Sequence, residues 1–277
     1  MSGASTIDAD AFRDFERKAH SERAESYADR FAAVTDRAIA PLLDAARVKS
    51  GTRLLDVAAG PGRLSAAAAA RGAKVTGSDL APSMVALAQK HYPEIEFREA
   101  SADALPFADG AFDAATCAFG VGHFPDAERV LAELVRVLAP GGAVALSWWE
   151  GFQRNRINGV FHETIGRLGV SAPGVLPAGP PIDRFSDRER IAEFLRSAGL
   201  LYVQVDTVSF RHRLRDADEL WSMAMGSFAR ASTMIGAQTT EMQTRIRAAV
   251  AEAAQEYRAG DGLDIPVSFL VASGTKA

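Results

Sequence analysis

Along the chain, short β-forming runs alternate with longer stretches whose apolar positions recur every three or four residues. Leu54 to Val57 is one such run and ends in a glycine turn. Arg63 to Arg71 follows, alanine-rich and helix-prone, with Gly72 placed to stop it. Lys74 to Asp79 reads as a second strand ending in an acid, and Pro82 suits the first turn of a helix continued by Met84, Leu87, Ala88 and His91. Ile95 to Arg98 is a third strand, and Ser101 to Phe107 a loop. Phe112 to Phe119 is apolar on both faces, as a strand inside a parallel sheet should be. Pro125 to Leu138 is amphipathic through Val130, Leu131, Leu134 and Val135; Pro140, Gly141 and Gly142 end it, and Ala143 to Trp149 is a fifth strand.

The flanking regions keep different rhythms. Residues 12–48 predict two helices in series, with a break or kink at Pro41. After Trp149, residues 150–186 hold a helical piece (Gly159 to Leu168) and a loop rich in proline and glycine from Pro173 to Pro181. That loop is too long for an ordinary connection and predicts a functional flap. Asp187 to Ala198 predicts a helix capped by Ser186, Leu200 to Phe210 a strand, residues 216–258 a second, helical insertion, and Leu263 to Ser273 a closing strand. Strands alternating with helices of 10–15 residues predict an α/β fold: a doubly wound, mostly parallel sheet, here of seven strands, with helical cap insertions. The organisation expected is an N-terminal helical segment, 1–48, ahead of one domain, 49–277, carrying the flap at 150–186 and the cap at 216–258.

Composition narrows the setting. The 277 residues are 48% hydrophobic and 24% charged, with a net charge of −4, so no basic footprint for nucleic acid is present. Cys117 is the single cysteine, which excludes an intrachain disulfide and fits a reducing compartment; we expect it to pack in the sheet. Residues 1–11 lack the apolar stretch of a secretory leader, and no apolar run approaches the roughly 20 residues of a membrane span. A soluble, cytoplasmic monomer or homodimer without nucleic-acid or membrane partners is expected.

A strand, a tight glycine turn and a helix place backbone N–H groups at the carboxyl edge of a sheet, where nucleotide-like ligands bind. A dinucleotide fingerprint needs a third glycine for close helix–strand packing; aligned on Gly60 that position is Arg63, and aligned on Gly62 it is Ser65. The run Leu54-Leu-Asp-Val-Ala-Ala-Gly-Pro-Gly62 instead resembles the first motif of class I S-adenosylmethionine-dependent methyltransferases, with Ala58 where the first glycine is usual. Further matches occur in order: Asp79, Ala102-Asp103-Ala104, Phe112 to His123, and Leu138-Ala-Pro-Gly-Gly142. The resemblance covers residues 50–150, with a weaker echo from Phe185 to Gly199. It is most similar to the small-molecule methyltransferases of the ubiquinone- and menaquinone-biosynthesis type, and it implies a Rossmann-like sheet with an antiparallel last strand.

Under that resemblance the cofactor is S-adenosylmethionine, and each matched position has a chemical use. Asp56 can orient the glycine loop and favour the ammonium, while Ala58, Gly60 and Gly62 bring the backbone close. Asp79 can accept hydrogen bonds from the ribose diol and Asp103, between Ala102 and Ala104, from the adenine amino group. Leu80 and Met84 offer an apolar bed for the ring. The match places Phe119 and Gly120 at the methionine end. Tyr27 and Arg30 are candidates to cover the cofactor and meet its carboxylate. His123 is the candidate catalytic base, with a packing role at the strand end as its rival. His162 is expected to be a solvated helix residue. Of Trp148 and Trp149, one should pack and one edge an acceptor pocket. Residues Leu220 to Phe228, with Met234 and Ile235, read as core first and pocket second. No spacing of metal-ligand type is present, so no metal is expected.

The expected activity is methyl transfer to an O, N or C nucleophile of a small, fairly apolar molecule. Two alternatives stand beside it: a protein that uses S-adenosylmethionine structurally, in regulation or cyclisation, and a nicotinamide-dependent oxidoreductase.

Overall fold

The computed structural model describes residues 7–171, 174 and 176–277; residues 1–6 of the N-terminal segment and Pro173 of the flap loop lie outside the described residues. Five parallel strands form the first part of the sheet: β1 (Arg53–Val57), β2 (Lys74–Asp79), β3 (Glu96–Glu99), β4 (Phe112–Ala118) and β5 (Leu138–Trp149). Two 14-residue strands complete it, β6 (Leu201–Leu214) and β8 (Gly262–Thr275), together with the two-residue β7 (Arg258–Ala259). The order is β3-β2-β1-β4-β5-β8-β6, and β8 runs antiparallel between β5 and β6. The seven-strand expectation therefore holds along the main path; β7, paired only to β8, is the eighth.

The double winding follows from the alternation of side chains along each strand. Leu54, Ala114, Ala145 and Phe269 point to one face, where they pack with Leu42, Leu43, Leu64 and Ala68. Those partners come from α3 (Ile39–Ala45) and α4 (Arg63–Ala70). Their neighbours Leu55, Ala115, Val144 and Leu146 point to the other face. There they meet α6 (Ala127–Val137) through Leu131 and Leu134, and α8 (Arg188–Ser197) through Ile191 and Leu195. Helix α5 (Pro82–His91) begins at Pro82 as the sequence predicts. The edge strand β6 alternates exposed and partly covered positions, as a strand with one solvated face should.

Three local expectations change. The N-terminal segment breaks not at Pro41 but around Phe31 and residues 36–38, giving α1 (Ala9–Arg30), α2 (Ala32–Thr35) and α3. Pro41 sits in the first turn of α3, where a missing N–H costs nothing. The α8 cap is Asp187 rather than Ser186: its carboxylate accepts from the N–H groups of Glu189 and Arg190. Pro140 to Gly142 lie inside β5 rather than ahead of it, with a register shift against β4 between Phe112 and Ala114.

The insertions build a helical layer. In the flap, α7 (Arg156–Arg167) packs with α9 (Ala217–Ser227) and α11 (Thr240–Ala254) of the cap around Ile157, Phe161, Met223, Ile246 and Val250. Helix α10 (Ala229–Gly236) lies between them in the chain. The extended end of β8 supplies Leu263, Ile265 and Val267 to this second core.

Candidate functional site

The carboxyl ends of β1, β2, β4 and β5 open into a cavity of about 470 Å³. Its floor is the sheet edge, its sides come from α1, and its roof comes from the flap and cap.

The floor holds the glycine turn. Ala58 takes φ +54° and Phe119 φ +55°, two non-glycine residues in the left-handed region at adjacent strand ends. Gly120, next to Phe119, has no room for a side chain: a Cβ there would lie 2.9 Å from Ala58 Cβ and 2.5 Å from Cys117 Sγ. Gly60 is left-handed too (φ +54°), and the space where its Cβ would point is open. Gly62 differs. Its N–H donates to the Ala59 carbonyl, and a Cβ there would meet the Phe97 ring at 2.8 Å. Gly62 is thus a packing glycine against β3 and α5, not a point of ligand approach.

Asp56 is 1% exposed and works inside the fold. Its two oxygens accept from Ser65 Oγ at 2.6 Å and Thr116 Oγ1 at 3.0 Å, tying the strand to α4 and β4. Burial dominates its environment and pushes its pKa up to about 6 against those two hydroxyls. Asp79 lines the cavity and organises the turn, accepting from Gly60 N–H at 2.8 Å and Ala81 N–H at 2.9 Å; burial raises its pKa despite these bonds. Asp103 also lines the cavity, bonded by Ser101 Oγ at 2.6 Å and by the Arg13 guanidinium at 2.8 Å; these partners outweigh its burial and lower its pKa.

Of the residues singled out by sequence, the cavity brings together Tyr27, Ala58, Gly60, Asp79, Leu80, Met84, Ala102, Asp103, Phe119, Gly120 and His123. Arg30 and Ala104 are exposed and, with Asp56 and Gly62, are absent from its lining. Burial pushes the Tyr27 phenol up to about 12, so it stays neutral. Cys117 is fully buried in the sheet, and burial raises its thiol.

Towards the roof the lining turns aromatic. Phe119 stacks on Trp149 with ring centroids 4.1 Å apart, and Phe31 meets Trp149 and Phe228 at 5.6 and 5.4 Å. Trp148 is buried, and its indole N–H donates to the Ile182 carbonyl at 3.0 Å, pinning the flap to β5. His162 is exposed, as expected, yet it stacks on Phe152 at the cavity lip. The methionine-rich cap segment divides by face: Leu220 and Met223 enter the second core, while Phe228 and Met234 line the cavity.

Sequence reasoning missed the contribution of α1. Arg13 and Arg17 pair with Asp103 and Glu99, and the buried Glu16 accepts at one oxygen, Oε2, from His20 Nε2 and His123 Nδ1, both at 3.1 Å. Burial works against this carboxylate, but the two imidazoles outweigh it and hold its pKa well below the usual range. His20 is raised, its own burial outweighed by Glu16. Glu16, His20 and His123 form a group that linear spacing cannot show, since His123 is 107 residues from Glu16. The readable signal was the four-residue spacing of Arg13 with Arg17 and of Glu16 with His20 on one helix.

Residues 55–146 match the family described as a methyltransferase domain. The chain is 48% identical over 110 residues to a demethylmenaquinone methyltransferase of Thermus thermophilus, a match covering 38% of this chain and 50% of that protein. It therefore spans about half the length, or less, of such curated relatives. Among solved structures, phosphoethanolamine N-methyltransferase 2 of Haemonchus contortus, in complex with phosphomonomethylethanolamine and S-adenosylhomocysteine, superposes with a TM-score of 0.59. That match has 18% identity and covers 96% of this chain and 60% of that one. The [4+2]-cyclase SpnF superposes at 0.50 with 22% identity, covering 87% and 80%. At these identities the likeness is one of fold.

Proposed function

Residues 55–146 match a methyltransferase domain, and we propose that the chain is a class I S-adenosylmethionine-dependent methyltransferase that methylates an O, N or C nucleophile of a small, fairly apolar molecule. The observation that carries this reading is one continuous cavity. It joins the glycine turn, Asp79 and Asp103 on one side to the aromatic space under the flap and cap on the other.

The residues present suit the cofactor. The open space at Gly60 admits close backbone approach, and Asp79 keeps a carboxylate at the strand end for the ribose diol. Asp103 retains lone pairs for the adenine amino group beside its bonds to Ser101 and Arg13, and Leu80 and Met84 bed the ring. Tyr27 covers the site from α1, and Asp56 braces the loop from within. When bound, S-adenosylmethionine supplies an electrophilic methyl group on a sulfonium.

The chain's own task is then alignment in a desolvated space, worth roughly 7–11 kcal/mol when the reacting atoms are well oriented. Phe119, Trp149, Phe31 and Phe228 exclude water around the acceptor. His123, at the cavity wall, takes the proton of an acceptor that is not already ionised. On this reading residues 1–48 are a lid, 150–186 a flap and 216–258 an acceptor-selecting cap. The net charge of −4 argues against a nucleic-acid substrate, and no helix among the described residues is long and apolar enough to cross a membrane.

Titration calorimetry with S-adenosylmethionine tests the assignment. Asp79→Ala and Asp103→Ala should each weaken binding by at least tenfold, because each removes a charged acceptor. Unchanged binding in both variants would overturn it.

A further inference from the structure

The Glu16–His20–His123 group joins a helix outside the matched family region to the proposed base. His123 Nδ1 faces Glu16 Oε2 at 3.1 Å, and a carboxylate can only accept, so Nδ1 carries the proton in the neutral ring. The other nitrogen, Nε2, has no hydrogen-bond partner among the described residues. Ring rotation is restrained by His20, edge-on at 5.1 Å, and by Trp148, edge-on at 5.5 Å.

Glu16 is an expensive residue for a purely structural task. Its side chain is 4% exposed, and its second oxygen, Oε1, is buried with no partner. An apolar side chain of similar volume would pack there without the desolvation cost of a buried charge. Retention of an ionised group with an orphaned oxygen beside an imidazole on a cavity wall is the mark of a functional arrangement.

We propose that Glu16 is a positioning residue that fixes His123 in its Nδ1–H tautomer, presenting Nε2 to the acceptor, with His20 as the second donor that keeps Glu16 ionised. The proposal rests on the reading of His123 as the base. In the step it serves, the acceptor X–H bond breaks, the proton moves to His123 Nε2, and the freed electron pair is available for the methyl group. The resulting imidazolium is balanced by Glu16 and later releases its proton to solvent. The same three side chains could in principle ligate a divalent cation, since their donor atoms lie within 4.8 Å of one another. No carboxylate or carbonyl among the described residues accepts from the far ring nitrogens, the protein support that metal-bound histidines commonly have, and the Zn²⁺ arm of the test below separates the two readings.

The test needs no acceptor. Side-chain nitrogen NMR of the full chain at mildly alkaline pH separates the two tautomers of a neutral imidazole. His123 should be protonated at Nδ1 in the wild-type protein and shift to a majority of Nε2–H in Glu16→Met, which removes the acceptor while keeping the volume. Glu16→Gln, which retains an acceptor oxygen, should keep a majority of Nδ1–H and secures the test should the Met variant misfold. An Nε2–H tautomer in the wild type, or an unchanged ratio in Glu16→Met, overturns the proposal. So does a stoichiometric shift of both His20 and His123 nitrogens on adding Zn²⁺, which would make the group a metal site. Loss of S-adenosylmethionine binding would instead strike the methyltransferase reading, so the two failures are distinguishable.

Discussion

At the scale of single residues, two glycines of one turn have opposite reasons to be glycine. Gly60 has positive φ and open space, so a methyl group there costs only the backbone strain of about 1–2 kcal/mol. Gly62 has the same strain and a Cβ position 2.8 Å from Phe97, so overpacking adds about 1–3 kcal/mol. Urea unfolding should therefore rank Gly62→Ala well below Gly60→Ala in stability, while cofactor affinity should fall more in Gly60→Ala. Asp56 has a pH signature. Its folded pKa of about 6 lies above the ordinary value of 3.8, so the folded chain binds more protons between the two. Stability is then lost as pH rises through that window, by about 3 kcal/mol at full ionisation. Asp56→Asn cannot ionise. The stability of the wild type relative to this variant should fall from pH 4 to pH 7 and level off above, measured by denaturant midpoints.

At the scale of elements, caps and packing faces explain where sequence reading and structure part. The sequence reading put the α8 cap at Ser186, one residue early, and the backbone geometry puts the Asp187 carboxylate over the N–H groups of Glu189 and Arg190. Asp187→Ala should cost about 1 kcal/mol and Ser186→Ala less than half of that, by chemical denaturation. The extension of β5 back through Pro140 and the two glycines was not legible, because those residues read as breakers. Their place in a strand comes from pairing with the chain's end: Gly141 N–H donates to the Lys276 carbonyl, and Lys276 N–H to that of Gly142. Helix α1 is the larger lesson. Its apolar positions are sparse, yet Phe12, Ala19 and Ala24 are buried, and of its charged residues Arg13, Glu16 and Arg17 face the cavity.

At the scale of the whole molecule, the cavity is closed by three segments distant in sequence, so a ligand in it should stabilise them together. Saturating S-adenosylhomocysteine, at about 100 times its dissociation constant, should add roughly 2.7 kcal/mol and raise the melting temperature by about 5–10 °C. Asp79→Ala, binding at least tenfold more weakly, should show no more than about half of that shift at the same concentration. Limited proteolysis should report slower cleavage in α1, the flap and the cap at once.

The order of strands and helices, the acids at the ends of β1 and β2 and the acid-bearing loop after β3 were all set by local pattern. Apolar period, glycine turns and spacing along the chain are short-range properties, and they carry the strand–turn–helix unit around Arg53 to Ser65 almost unaided. Tertiary structure alone decided which of those residues meet the cavity. It turned Asp56 and Gly62 inward, left Arg30 outside, and brought Glu16 and His20 against His123. Such contacts depend on the angle at which α1 crosses the sheet edge, which is set by packing against α5, α9 and the loop after β3. No local period encodes that angle.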